Sequence, residues 1–318
     1  MKTKLSVSLA AAAVAATVLA GCSSTGDDPS ASPSASDPSA AAQAAANAAL
    51  ETVKWEEDAD GVPTLTFEQP FNVGTTATRM IKDGDGAEIK AGDVVTLDYT
   101  VTSGEDGSIT YSTYTGSTPE PVSLIDGQID PLLIDLLVGS HVGADFLYAA
   151  VDTSASPTTS VLMAVTVADA VTPLPRATGT AVTPAEGLPV VTLADNGAPS
   201  VEIPKTDPPK DLVSQTLIKG EGDKVKAGDT VTVHYSGWLW DDGKQFDSSW
   251  ERGAPLTSAL DTSSLIDGWV KGLEGQTVGS QVLLVIPPDL GYGDKDSSDG
   301  SIPGGSTLVF VVDILAVS

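Results

Sequence analysis

Histidine and cysteine are almost absent from this 318-residue sequence, at two residues and one residue. One Cys rules out an intramolecular disulfide and a thiolate metal cluster. Two His leave no basis for a histidine metal site or a Ser-His-Asp triad. Positive charge is scarce, with 16 Lys and Arg against 43 Asp and Glu, a net charge of −27. So acidic a surface repels phosphate backbones and excludes general nucleic-acid binding; it also favours a monomer. No glycine loop carries the Lys that cradles phosphates. The Asp/Gly runs at 83–86 and 294–296 lack the spacing and terminal Glu of a calcium loop. No metal and no cofactor is therefore expected. Aromatic residues make up 5% of the chain, so any place where several converge is informative. Hydrophobic residues, at 41%, are sufficient for packed cores.

The first residues read as an export signal. Lys2 and Lys4 precede an apolar stretch over 5–20, which is shorter than the roughly 20 residues a membrane span needs. It ends in Leu19-Ala20-Gly21-Cys22, followed by Ser23-Ser24. This resembles the bacterial lipoprotein signal, with 1–21 removed and Cys22 lipidated. The implied location is extracytoplasmic, with the protein anchored to the cell membrane. Residues 22–50 hold Ser, Ala, Pro, Asp and Gly with almost no large apolar side chain. Such a segment cannot offset its ordering entropy and reads as a disordered tether. The Ala-rich 40–50 has some helical tendency.

The remainder repeats. Ile81-Lys82, a Gly/acid turn, Lys90-Ala91-Gly92-Asp93 and Val94 to Tyr99 recur as Ile218-Lys219, Lys226-Ala227-Gly228-Asp229 and Thr230 to Tyr235, at an offset of 136. His141-Val142-Gly143 lies over Thr277-Val278-Gly279 at the same offset. β-branched runs flanked by Gly-Asp turns predict strands at 94–99, 230–235, 282–286 and 307–315. One short helix is expected near 264–273. The fold class is α+β: two tandem modules, each a curved antiparallel sheet on one short helix. The modules are placed at 51–172 and 191–318. The proline-bearing 173–190 is read as a semi-rigid linker.

From Leu217 onward the sequence resembles the FKBP-type peptidyl-prolyl cis–trans isomerases. The segments that carry this are 227–237, Asp242-Gly243-Lys244-Gln245-Phe246-Asp247-Ser248-Ser249, Leu265-Ile266-Asp267-Gly268-Trp269, Ile286-Pro287-Pro288-Asp289-Leu290-Gly291-Tyr292-Gly293, Ile302-Pro303 and Thr307-Leu308-Val309-Phe310. The resemblance implies a proline slot with Trp269 as its floor and Tyr235, Phe246 and Phe310 as walls. Leu265 and Ile266 stand beside it, with Leu256 where many relatives carry Phe. Tyr292 and the Ile266 amide are the implied donors to substrate carbonyls. Asp247 polarises the edge, Arg252 orients it, and Ile302 closes the far side. His234 alternates with Tyr235 and is expected at the surface, without a catalytic role.

The implied activity is isomerisation of X–Pro bonds in exported, proline-containing polypeptides. The alternative is a non-catalytic binding or scaffold lipoprotein. The first module reads as a worn copy. Tyr99 stands for Tyr235, Tyr111-Ser112 for Phe246-Asp247 (so the carboxylate is lost), Leu133 for Trp269 and Met163 for Phe310. The stretch after Val151 is shorter by about eleven residues, since the offset becomes 147, and it lacks the Tyr292 loop. No isomerase activity is expected from it.

Overall fold

In the computed structural model the repeated Lys-Ala-Gly-Asp is a closed turn in both places. Asp93 Oδ2 accepts the Lys90 amide and Asp229 Oδ2 the Lys226 amide, each at 2.8 Å. Gly92 and Gly228, at φ 85° and 88°, adopt the left-handed backbone that such a turn requires. Each turn launches a ten-residue strand. The structure describes residues 38–115, 118–153 and 158–318. The signal segment and Cys22 lie outside them. Among the described residues no helix is long and apolar enough to cross a membrane. The chain divides into two compact units, the first ending at Ala170 and the second running from Val171 to Ser318.

The first unit opens with helix α1 (Pro38–Leu50) and a hairpin of β1 (Lys54–Glu57) and β2 (Pro63–Thr66). Then come β3 (Ala77–Lys82), β4 (Val94–Ser103), β5 (Ile109–Ser112), β6 (Glu120–Ser123), helix α2 (Pro131–Leu137), β7 (Asp145–Asp152) and β8 (Thr159–Val171). The sheet order is β3-β7-β8-β4-β5, with β6 also on β4; β3–β7, β7–β8, β4–β5 and β4–β6 pair antiparallel.

The second unit begins with β9 (Thr180–Ala181) and a hairpin of β10 (Val190–Leu193) and β11 (Pro199–Glu202). It continues through β12 (Val213–Lys219), β13 (Thr230–Leu239), β14 (Gln245–Ser248), helix α3 (Ser249–Arg252), β15 (Leu256–Ala259), helix α4 (Asp267–Leu273), β16 (Gln281–Ile286) and β17 (Leu308–Val317). Its order is β12-β16-β17-β13-β14, with β15 on β13 and β9 added beside β12. Strand for strand, the path matches that of the first unit. Even the bulge recurs, between Val101 and Thr102 and between Gly237 and Trp238.

Each sheet carries a core on both faces, because side chains alternate along every strand. On one face of the second unit, Val233, Tyr235, Leu284, Ile286, Phe310 and Val312 meet Trp269 and Leu273 of α4. The helix lies close to the strands. A Cβ on Gly268 would stand 2.4 Å from Ile286 Cγ2, and one on Gly272 would stand 2.6 Å from Leu284 Cδ2. On the other face Trp238, Trp240, Leu283, Val285, Val309 and Val311 are covered by residues from 188–213. In the first unit Leu133 and Leu137 of α2 join the equivalent core, and α1 covers the opposite face.

Three expectations change here. The tether gives way to a helix from Pro38. An Ala-rich 13-residue helix is marginal alone, but Ala46 and Leu50 bury against Ala77, Leu147 and Leu162. Burying Leu50 alone contributes about 2 kcal/mol. Arg79 Nη1 then donates to the Leu50 carbonyl at the helix end at 2.8 Å and to the Val53 carbonyl just beyond it at 3.0 Å. The proline-bearing 173–190 is folded onto the second unit. Leu174 N donates to Leu315 O at 3.0 Å, Ala177 N to Asp313 Oδ2 at 2.8 Å and Thr178 N to Gly279 O at 2.9 Å. Finally, α4 begins at Asp267, because Asp261 Oδ1 accepts the Ser263 and Ser264 amides in a separate turn.

Candidate active site

Tyr235 and Phe310 come from β13 and β17, which pair so that Tyr235 faces Val312 and Gly237 faces Phe310. Phe246 stands on β14 and Trp269 in the first turn of α4. Three remote stretches of chain thus place four rings on one face. The Trp269 indole meets Tyr235 edge-on at 5.1 Å and 86°, and Phe310 at 5.3 Å and 87°. Phe246 meets Phe310 at 5.5 Å and 86°, and Tyr235 lies 6.2 Å from Phe310. Edge-to-face pairs of this kind stabilise by about 0.5–1.5 kcal/mol beyond area burial. Gly237 makes the arrangement fit, since a Cβ there would stand 2.6 Å from the Phe246 ring and 2.7 Å from that of Phe310.

The rings bound a cavity of about 480 Å³, which Leu256, Leu265, Ile266 and Tyr292 also line. Trp269 is 3% exposed and Tyr292, at the mouth, is 47% exposed. Ile302 is placed differently from expectation: it is buried in the core with Trp269 and Phe310 and is not among the cavity walls. Sequence reasoning missed Thr262, Ser263, Ser264, Asp267, Asp289 and Gly291, which complete the rim. The Asp261 turn that presents the two serines is visible only as Asp-Thr-Ser-Ser in the sequence.

The polar edge is a three-membered network. Tyr235 Oη donates to Asp247 Oδ2 and Arg252 Nη1 donates to Asp247 Oδ1. Arg252 Nη2 also donates to Tyr235 Oη at 3.0 Å, with its guanidinium carbon 5.6 Å above the Tyr235 ring. Burial and the Asp247 hydrogen bond push the Tyr235 hydroxyl up to about 12, so it stays protonated throughout the physiological range. The Tyr292 hydroxyl is also pushed up, first by burial and then by the charges of Asp247 and Asp299. Among the described residues, the Ile266 amide donates no hydrogen bond within the chain.

His234 is half-buried instead of lying free at the surface. Its Nδ1 lies 2.9 Å from Ser249 Oγ, and its ring stacks on Trp250 with centroids 4.0 Å apart. Burial holds its pKa below the usual histidine value.

The first unit keeps part of this geometry. Register puts Tyr111 opposite Val101, the place Asp247 takes opposite Gly237, so Thr110 and not Tyr111 stands for Phe246. A carboxylate is nevertheless present. Glu120 of β6 accepts the Tyr99 hydroxyl, from the register position Leu256 holds on β15. Leu133 is buried in a core with Tyr99, Phe146 and Met163, where Trp269 floors the cavity.

The model of the FKBP-type peptidyl-prolyl cis–trans isomerases matches residues 221–315, which include all four rings. Over 119 residues the chain is 43% identical to an FK506-binding protein of Streptomyces anulatus, covering 37% of this chain and 96% of that protein. The chain belongs to the FKBP-type peptidyl-prolyl cis–trans isomerase family. A probable FK506-binding protein of Corynebacterium glutamicum is 42% identical over 118 residues, 37% of this chain and 97% of its own length. The Escherichia coli isomerase FkpA is 48% identical over 106 residues, but these span 37% of FkpA and 33% of this chain. The crystal structure of FkpA aligns at a TM-score of 0.32 with 38% identity, covering 42% of this chain and 53% of that one. Peptidyl-prolyl isomerase activity therefore belongs to the second unit, which contains every residue of the family match.

Proposed function

We propose that the second unit isomerises X–Pro bonds of exported polypeptides at the outer face of the cell membrane, where a lipid on Cys22 anchors a monomeric chain. The observation that carries the catalytic part is the perpendicular packing of Trp269 against both Tyr235 and Phe310 around one cavity. An X–Pro amide resists rotation by ~18–20 kcal/mol because twisting it destroys resonance. No covalent step is needed to lower that barrier. The proline ring seats on Trp269 between the other rings, which exclude water. The Ile266 amide and the Tyr292 hydroxyl donate to carbonyls of the substrate, and they favour the twisted form where these bonds shorten as resonance is lost. Asp247, fixed by Tyr235 and Arg252, sets the field at the edge where the proline nitrogen becomes pyramidal.

The first unit is, in this reading, a second FKBP-like module without isomerase activity. Its matching strand order and its repeated turn support a common plan. The anchor rests on Leu19-Ala20-Gly21-Cys22; a lipid there partitions by about 0.8 kcal/mol per buried CH₂. Two measurements test the proposal. A protease-coupled assay on an X–Pro peptide is expected to show acceleration by the full chain that Trp269→Ala abolishes. Unchanged isomerisation in Trp269→Ala would overturn the site. Metabolic labelling with a fatty acid is expected to mark the wild type and not Cys22→Ser, and equal labelling of both would overturn the anchor.

A further inference from the structure

Helix α3 is four residues long and carries Arg252, which holds Asp247 and Tyr235. A single helical turn has no stability of its own, so tertiary contacts must fix where Arg252 points. Ser249 supplies one of them: fully buried, its Oγ accepts the Tyr235 amide at 2.8 Å. Trp250 supplies the other. It lines no part of the cavity. Its indole stacks on His234 of β13, with ring planes 22° apart. The far end of the indole meets the turn of the β10–β11 hairpin. A Cβ on buried Gly197 would stand 3.2 Å from Trp250 Cη2 and 3.0 Å from Arg176 Cδ, and Arg176 Nη1 donates to Asp195 O at 3.0 Å.

We propose that Trp250 is a positioning residue of the isomerase site: held between His234 and the Gly197 turn, it fixes α3 and thereby aims Arg252 and Asp247 at the cavity. The proposal rests on the reading of that cavity as the isomerase site. Residues 176 and 195–197, which complete the seat, precede the family-matched segment 221–315. The second unit thus supports its site with chain from outside the matched region. A side chain that only fills space would not distinguish turnover from binding. One that aims a polar edge changes kcat and leaves KM nearly in place.

The test uses the full chain and an X–Pro peptide, with kcat and KM determined separately. Trp250→Ala is expected to lower kcat about tenfold, as small misplacements at a reacting centre do, with KM little changed. Trp250→Phe, which keeps a ring on His234, is expected to restore most of the loss. Gly197→Leu pushes on Trp250 and is expected to lower kcat severalfold. Gly187→Leu is its control: φ there is +82°, close to the +97° of Gly197, but nothing lies within 4 Å of the added Cβ. That variant is expected to keep wild-type turnover. Wild-type kcat in Trp250→Ala, no rescue by Phe, or equal behaviour of the two glycine variants would overturn the proposal. If circular dichroism shows Trp250→Ala unfolded, the glycine pair decides. A wild-type chain that fails to isomerise overturns the reading of the cavity, whereas active variants beside an active wild type overturn only the role of Trp250.

Discussion

Tyr99 and Tyr235 occupy the same place in two sheets of the same strand order, and the units diverge around them. Both tyrosine amides donate to a hydroxyl, Thr113 Oγ1 at 2.9 Å and Ser249 Oγ at 2.8 Å. Behind that hydroxyl stands Asp98 in one unit and His234 in the other. Both phenols donate to a carboxylate, but Glu120 arrives from β6 and Asp247 from β14. A buried carboxylate on each sheet shows a similar exchange. Thr166 donates to Asp145 at 2.7 Å in the first unit, while Gln281 donates to Asp313 at 2.8 Å across the matching strand pair in the second. Backbone satisfaction is kept in both units, whereas the rings at the Phe246, Trp269 and Phe310 positions are not. The scaffold and the cavity are separable: Leu133 seals a core where Trp269 floors an opening, and the sheet tolerates either.

The largest expected effect comes from giving the second unit the residue of the first. Trp269→Leu should lower kcat/KM on the order of 10²-fold, because the floor that seats the proline is lost. Near-normal turnover in the coupled assay would mean that the indole is not what separates the two units. The reverse change, Leu133→Trp, should create no activity and should destabilise by about 1–3 kcal/mol through overpacking, read from urea melts.

Gly237 sharpens the comparison next, since its counterpart in register is Val101. Gly237→Val drives methyl groups into Phe246 and Phe310 and should cost about 1–3 kcal/mol of stability. An unshifted urea midpoint would show that the rings have room to move. Asp247→Asn keeps the shape and removes the charge, with an expected loss in kcat of about tenfold, equivalent to about 1.4 kcal/mol. Glu120→Gln should leave turnover unchanged, and a parallel loss there would assign the first unit a part in catalysis.

The smallest effect is in pH dependence. Burial lowers the His234 pKa, so the unfolded chain takes up this proton first. The stability it contributes is complete above about 6.5 and declines as pH falls through the lowered folded value. His234→Phe should remove that part of the acid slope in pH-dependent unfolding. A slope identical to wild type would mean that the imidazole is solvated in the folded protein. At the alkaline end, the Tyr235 hydroxyl is raised to about 12, so its contribution holds below about 10 and fades as pH rises toward 12.

The strands were legible because β-branched runs between Gly-Asp turns have one period and clear ends: β4, β13, β16 and β17 contain the expected residues, apart from Thr307, which precedes β17. The four rings were legible through motifs, since nothing local in Phe246 or Phe310 says that they meet. What escaped the sequence depends on tertiary partners. Helix α1 looks like a tether until Leu147 and Leu162 cover it. The prolines at 173 and 175 suggest a linker until Asp313 accepts the Ala177 amide. Glu120 was invisible as the partner of Tyr99 because pairing across β4 and β6 sets it, and the bulge after Val101 shifts Tyr111 by one place. The seat of Trp250 spans 176 to 250, too far apart for any pattern in sequence to join.

The short strand β9 has a consequence of its own. It covers the outer side of β12, pairing Ala181 with Ile218 and Thr180 with Lys219, while the Val182 amide takes the Leu217 carbonyl at 2.8 Å. A bare sheet margin invites any extended polypeptide to join it. Three residues of the chain's own backbone, laid along that margin, act as a guard rail against the pairing of an extra strand there.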